Sequence, residues 1–255
     1  MWALGDYPAV VTEIIAELGP ALVAAAGVGP GTKVVDVAAG SGNAAIPAAL
    51  AGANVIATDL CPDLLEVGKV AAEKAGATLR WQEADAENMP CSDGDHDVTM
   101  SCAGVMFAPH HQAAADELLR ITRSGGTIAL LSWTPEGFIG QMFATMKPYA
   151  PPPPLGASPP PLWGSEAHVR TLFGDAVSAL TARKHTLTVA NFATGAEFRD
   201  FFKATYGPTI AVYAFIGDDP AKVEALDADL AALGERYLDH GVMAWEYLLL
   251  TATRN

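Results

Sequence analysis

The chain is short of charge, of basic residues above all, and of cysteine. Only 17% of its 255 residues are charged, against 51% hydrophobic, which excludes an intrinsically disordered chain. Fifteen basic residues face twenty-nine acidic ones, a net charge of −14. Such a surface repels a phosphate backbone, so no nucleic-acid partner is expected. The three cysteines, Cys61, Cys91 and Cys102, are odd in number and match neither a disulfide framework nor a zinc spacing. They point to a reducing, cytoplasmic setting. No apolar run reaches the roughly 18 residues of a membrane span. No basic segment followed by an apolar one opens the chain, so neither a membrane partner nor a secretory signal is expected. The acids are scattered rather than clustered as ligands, and no metal is expected. Internal repeats are absent. What remains is a globular chain of one domain, long enough to bury roughly 70–75% of its unfolded surface.

The most informative stretch is Val34-Val35-Asp36-Val37-Ala38-Ala39-Gly40-Ser41-Gly42-Asn43. Val34, Val35 and Val37 are β-branched and nearly continuous, as in a parallel strand covered on both faces. Gly40 and Gly42 allow a tight turn whose backbone can approach a ligand. Asn43 then opens an alanine-rich helix, whose free N–H groups favour negative charge. Two chemistries use such a strand–turn–helix. The run from Gly40 to Ala45 fits the dinucleotide fingerprint G-x-G-x-x-G/A, with Asp59 downstream to meet a ribose. The carboxylate of Asp36, four residues before Gly40, is ill-suited to a pyrophosphate. It suits a ligand carrying an ammonium and a sulfonium.

Along the chain, Val11, Ile14, Ile15 and Leu18 form one apolar helix face within a preamble of residues 1–30. Gly19-Pro20 is expected to interrupt it, with a second short helix at 22–26. Strand 54–60 ends in Asp59, where a doubly wound sheet binds its ligands; Pro62 allows the plainer role of a helix-start acid. Helix 62–75, strand 78–83, strand 98–102, helix 112–123 and strand 127–133 follow. Residues 134–163 then interrupt the pattern. Phe138, Met142, Phe143 and Met146 share a helical stripe there, ahead of the proline runs 151–154 and 159–161. That segment reads either as a stiff surface connection or as a cap shaping an acceptor pocket. Helix 165–173, strand 184–192, two further helices around Phe198 and Leu226, and a last strand at 242–253 complete the chain.

Several of these motifs, in this order, resemble class I S-adenosylmethionine (SAM)-dependent methyltransferases over about residues 32–133. The carriers are D-V-A-A-G-S-G from Asp36, D-A-E-N-M-P from Asp85, and E-L-L-R-I-T-R-S-G-G from Glu117. In the last, Ser124 stands where the family usually has proline, a harmless change in a turn. The remainder looks like a bacterial small-molecule subfamily. The resemblance implies an α/β fold with a Rossmann-like, seven-stranded, mostly parallel sheet in the order 3-2-1-4-5-7-6. Helices would cover both faces, and insertions would form a cap. The expected layout is a single domain, 1–255. Its core is about 32–133 plus 165–192 and 242–253, and its cap comes from 1–30, 134–163 and 195–240.

The resemblance further implies SAM as cofactor, leaving S-adenosylhomocysteine. Asp36, Ala38, Gly40 and Gly42 would form the turn beside it, and Asp59 and Leu60 would meet the ribose. Asp85 would accept from the adenine amino group and the Ala86 N–H would donate to the ring. Ser101 and Cys102, at the end of the fourth strand, would close the site. The aromatic, turn-prone stretch from Trp2 to Pro8 reads either as a terminus packing its rings on the domain or as a lid whose Tyr7 reaches the cofactor's methionine end. Met106, Phe107, Trp133, Phe138 and Met142 are the candidate walls for the acceptor.

Methyl transfer to an O, N or C atom of a small organic metabolite is the expected reaction. Alignment of an in-line displacement can supply about 7–11 kcal/mol, so a base is needed only where the acceptor must lose a proton. His111 and His110 are the candidates for that base, worth about 10²–10⁴-fold. A helix-start histidine is also often a plain surface or capping residue, and the family often has aspartate at position 110. Two alternatives stay open: an NAD(P)-dependent oxidoreductase on a related sheet, and a SAM-binding protein of this fold that transfers nothing. The acceptor and the oligomeric state are not legible.

Overall fold

The computed structural model describes residues 1–255. Five parallel strands form its first half: β1 (Lys33–Val37), β2 (Asn54–Asp59), β3 (Arg80–Glu83), β4 (His96–Cys102) and β5 (Thr122–Trp133). Further on come β6 (Val177–Val189), the two-residue β7 (Leu238–Asp239) and β8 (Val242–Arg254). The sheet order is β3-β2-β1-β4-β5-β8-β6, with β7 paired to β8. β8 runs antiparallel to both β5 and β6. Setting the short β7 aside, this is the expected order 3-2-1-4-5-7-6 with its one antiparallel strand.

The helices follow local chemistry. In β1, Val34, Val35 and Val37 are buried from both sides. α1 (Tyr7–Glu13) and α2 (Leu18–Ala25) form the preamble, and α3 (Ala45–Leu50) leaves the glycine turn. α4 (Pro62–Ala75) starts on a proline, which lacks only an N–H the first turn cannot use. It ends on Gly76, whose φ of +72° is left-handed. α5 (His111–Ile121) lays Ala114, Ala115, Leu118 and Ile121 on the sheet. α6 (Phe138–Met146), α8 (Gly195–Thr205), α9 (Gly207–Ile216) and α10 (Pro220–Tyr237) build a cap, and α7 (Glu166–Phe173) packs beside α5. No single helix is long and apolar enough to cross a membrane.

Four expectations about elements need correction. The preamble breaks between α1 and α2, before Leu18, and not at Gly19-Pro20; both residues sit in the first turn of α2, where proline is tolerated. α5 stops at Ile121 because the Thr122 hydroxyl donates to the Leu118 carbonyl (2.6 Å) while also pairing with Thr99 Oγ1 (2.7 Å), which pulls residue 122 into β5. The sixth strand starts at Val177, seven residues earlier than its hydrophobicity marks, since its first half is largely exposed on the sheet edge and is held there by pairing to β8. α9 was not anticipated. It is apolar on nearly every side and therefore carries no stripe to read.

Candidate functional site

The carboxyl ends of β1, β2 and β4 open onto one cavity with about 840 Å³ of empty space, its mouth included. Of the residues expected around a cofactor, Tyr7, Ala38, Gly40, Asp59, Leu60, Asp85, Ala86 and Cys102 line it. Tyr7, the first residue of α1, lies over the glycine turn, where a Cβ on Gly40 would come within 3.5 Å of its ring. Asp59 holds the turn in shape. One carboxylate oxygen accepts from the Gly40 N–H and the other from the Cys61 N–H, each at 2.8 Å. It is thus both the helix-start acid and a wall of the cavity. Burial raises its pKa against the pull of those amide hydrogen bonds. Asp85 stands exposed at the rim and accepts from the Glu87 N–H (2.9 Å).

Asp36 does not reach the cavity. It lies in mid-strand beneath the floor, 1% exposed, and neither of its oxygens has a hydrogen-bond partner. Burial, with Asp59 nearby, pushes its pKa up to about 8; the Ala45 amide at the start of α3 opposes this without forming a proper bond. The next residue but one, Ala38, has a left-handed φ of +54°, and Ala103, at the end of β4, has +50°. Both line the cavity, in a backbone region alanine avoids.

Other expected residues lie elsewhere. Ser101 is fully buried: its hydroxyl donates to the Val37 carbonyl (2.6 Å) and accepts from the Val105 N–H (2.8 Å), so it ties β1 to β4 and faces no ligand. Gly42 makes room for a tryptophan, since a Cβ there would come within 2.7 Å of the Trp81 ring. Met106 is buried in the core and Phe138 and Met142 in the cap, where Phe138 stacks on Trp245 (5.1 Å). Only Phe107 and Trp133 of the expected acceptor walls face open space. Sequence reasoning missed Asn43, whose side-chain amide donates to the Ile15 carbonyl (3.1 Å) while lining the cavity. It also missed Trp2, which closes the cavity in edge contact with Tyr7, Phe107 and Tyr206.

Neither histidine lines the cavity. His111 is buried at the head of α5, with Nδ1 2.9 Å from His168 Nε2 and its ring against Trp163. Burial, then the neighbouring His168, drives its pKa down to about 4. His110 is half-exposed, with Nδ1 2.8 Å from Glu87 and Nε2 3.2 Å from the Leu155 carbonyl. Glu87 and that carbonyl raise its pKa, because the imidazolium donates to both. The His110 cation is therefore a buckle on the proline-rich connection. A raised histidine pKa means the buckle is complete below the ordinary value near 6.5 and is lost as pH rises through the folded value. Amide exchange at Ser158, bonded to the Pro109 carbonyl, should accelerate over that rise in excess of the general base-catalysed trend. In His110→Ala the excess should be absent; an unchanged exchange profile in the variant would dismiss the buckle.

The comparisons with known proteins agree with this geometry. A methyltransferase domain family matches residues 35–130. The uncharacterized protein Rv1405c of Mycobacterium tuberculosis is 53% identical over 254 residues, covering 100% of this chain and 93% of that protein. The YcgJ protein of Bacillus subtilis superposes with a TM-score of 0.65 at 15% identity, over 94% of this chain and 98% of that one. A geranyl diphosphate methyltransferase in complex with SAM superposes at 0.56 and 17% identity, over 94% and 85%. The chain belongs to one family with this mycobacterial relative, carries a methyltransferase domain over residues 35–130, and has the fold of the SAM-dependent methyltransferases.

Proposed function

We propose that this protein transfers the methyl group of SAM to an O, N or C atom of a small organic molecule, by in-line displacement and without a metal. The observation that carries this is one cavity at three strand ends, bordered by Asp59 and Asp85, over a glycine turn roofed by Tyr7. The residues fit the cofactor. Asp59 keeps lone pairs for ribose hydroxyls, and Asp85 with the Ala86 amide suits an adenine edge between the apolar Leu60 and Leu64. Asp36, orphaned and buried beneath the turn, is a carboxyl whose ionisation a cationic ligand bound nearby would favour. When bound, SAM supplies a methyl group already activated by its sulfonium. The protein's part is alignment and exclusion of water by Tyr7, Trp2 and Phe107.

A net charge of −14 and an apolar interior favour a small-molecule acceptor over nucleic acid. The test is ligand-induced stabilisation. At a hundred times its dissociation constant, S-adenosylhomocysteine should add about 2.7 kcal/mol, and NAD should add nothing. Stabilisation by NAD with none from S-adenosylhomocysteine would favour the oxidoreductase reading and end this one.

A further inference from the structure

Two loops that wall the cavity run on into residues that meet beside it. Ala84, Asp85 and Ala86 line it after β3, and Phe107, Ala108 and Pro109 after β4. The next residue of the first run is Glu87, and of the second His110. Glu87 accepts twice from His110: at Oε1 from the backbone N–H (2.6 Å) and at Oε2 from the ring Nδ1 (2.8 Å). The Glu87 N–H donates in turn to the rim acid Asp85 (2.9 Å). The other ring nitrogen of His110 meets the Leu155 carbonyl (3.2 Å), and the Ser158 N–H donates to the Pro109 carbonyl (2.9 Å). Further along the β3 loop, Arg120 donates to the Met89 and Cys91 carbonyls and Glu117 accepts from the Met89 N–H. Those bonds fix the outer half of the loop to α5. Glu87 ties its cavity side to the opposite wall.

Both partners of the His110 ring, a carboxylate and a carbonyl, are acceptors. Both ring nitrogens must therefore carry hydrogen for both bonds to exist, and only the imidazolium satisfies that. The charged groups facing the ring are Glu87 and Asp85, both from the loop after β3. Residues 150–164 of the connection bring no titratable side chain, and His111, next on α5, is neutral above about pH 4. Glu87 first, then the Leu155 carbonyl, raise the His110 pKa.

We infer that Glu87 and His110 are positioning residues for the cofactor, a clasp joining the two cavity walls that is whole only while both His110 ring nitrogens carry hydrogen. Resting on the methyltransferase reading, the clasp regulates that same site. A bound cofactor and the His110 proton support each other, and the coupling is reciprocal. The sign follows from the raised pKa. The clasp is complete below the ordinary histidine value near 6.5 and is lost as pH rises through the folded value, taking cofactor affinity down with it. The neutral ring keeps one of its two bonds.

The test is calorimetry of S-adenosylhomocysteine binding to wild type and three variants at pH 6 and pH 9. Asp36 titrates within this range, so each variant is compared with wild type at the same pH. Glu87→Ala, which removes the acceptor, should bind about fivefold more weakly at both, the worth of about one hydrogen bond. His110→Asn keeps a donor toward Glu87 but has none for Leu155 and no proton to lose. It should be about fivefold weaker than wild type at pH 6 and equal to it at pH 9. Glu87→Gln reverses the requirement, because its amide donates to an unprotonated Nδ1 while the Nε2–H serves Leu155. Neutral His110 then completes the clasp, so this variant should be weaker than wild type at pH 6 and tighter at pH 9. A role confined to fold stability produces no such crossing. Wild-type affinity in Glu87→Ala would overturn the proposal, and so would ratios to wild type that do not change with pH in the other two variants. Wild type that binds no S-adenosylhomocysteine at either pH is a separate result, which would remove the methyltransferase reading and the clasp's role with it.

Discussion

Asp36→Asn is expected to make the ligand-free protein more stable at pH 8, by a margin that shrinks to little near pH 4. The carboxyl is buried without a partner and titrates near 8, whereas in the unfolded chain it titrates near 3.9. Between those values the folded state holds a proton that the unfolded state has released, so stability falls as pH rises. At about 1.4 kcal/mol per pH unit, the loss has a ceiling of about 5 kcal/mol. Relaxation around the charge will leave less than that. Asparagine carries no titrating proton and should remove this slope. Urea unfolding of both proteins at pH 4, 6 and 8 measures it. A stability difference that does not widen with pH would mean that Asp36 is paired in solution.

Asp59→Ala is expected to have the larger effect on cofactor binding. Beyond the helix-start role that the sequence offered, where one oxygen of Asp59 accepts from the Cys61 N–H, the structure adds a second: the other oxygen holds the Gly40 amide of the turn. Alanine therefore removes the proposed ribose acceptor and loosens the Gly40 turn together. Each amide left without a partner costs about 1–3 kcal/mol. Affinity for S-adenosylhomocysteine should fall by at least tenfold, with a loss of stability alongside. Asp59→Asn, which keeps one acceptor oxygen, should fall between the two in calorimetry. Unchanged affinity in Asp59→Ala would leave Asp59 as a helix-start residue alone.

The lining of the cavity was legible because its residues follow strand ends directly. Asp59 closes β2, Asp85 follows β3, and Gly40 follows β1, so locating the strands located the cavity wall. The acceptor half resisted for the opposite reason. Phe138 and Met142 have the composition of a pocket wall, yet α6 turns them into the cap, while Ile139 on the same helix borders a small apolar void beside the cavity. Helical spacing gives a face but not what that face meets. Tyr206 sits in the bend between α8 and α9, and Trp245 on a strand that pairs far back along the chain. Ser101 misled because a hydroxyl at a strand end is compatible with ligand binding and with a crosslink between strands alike. The histidine pair misled because its partners, His168 and Leu155, are distant in sequence.

The position of β8 also bears on the order in which the molecule can form. Thr127 of β5 pairs with Thr253 of β8, and β6 has no other neighbour in the sheet than β8. No pairing among β1 to β5 spans more than the 64 positions from Val34 to Val98, but the β5–β8 seam must close a loop of more than a hundred residues, which is the slow, high-contact-order step. The β8–β6 side of the sheet is consequently completed late, after the cavity has its three strand ends. Opening should run in reverse: a chain frayed at the β5–β8 seam would release β8 and β6 while the three strand ends of the cavity stay folded.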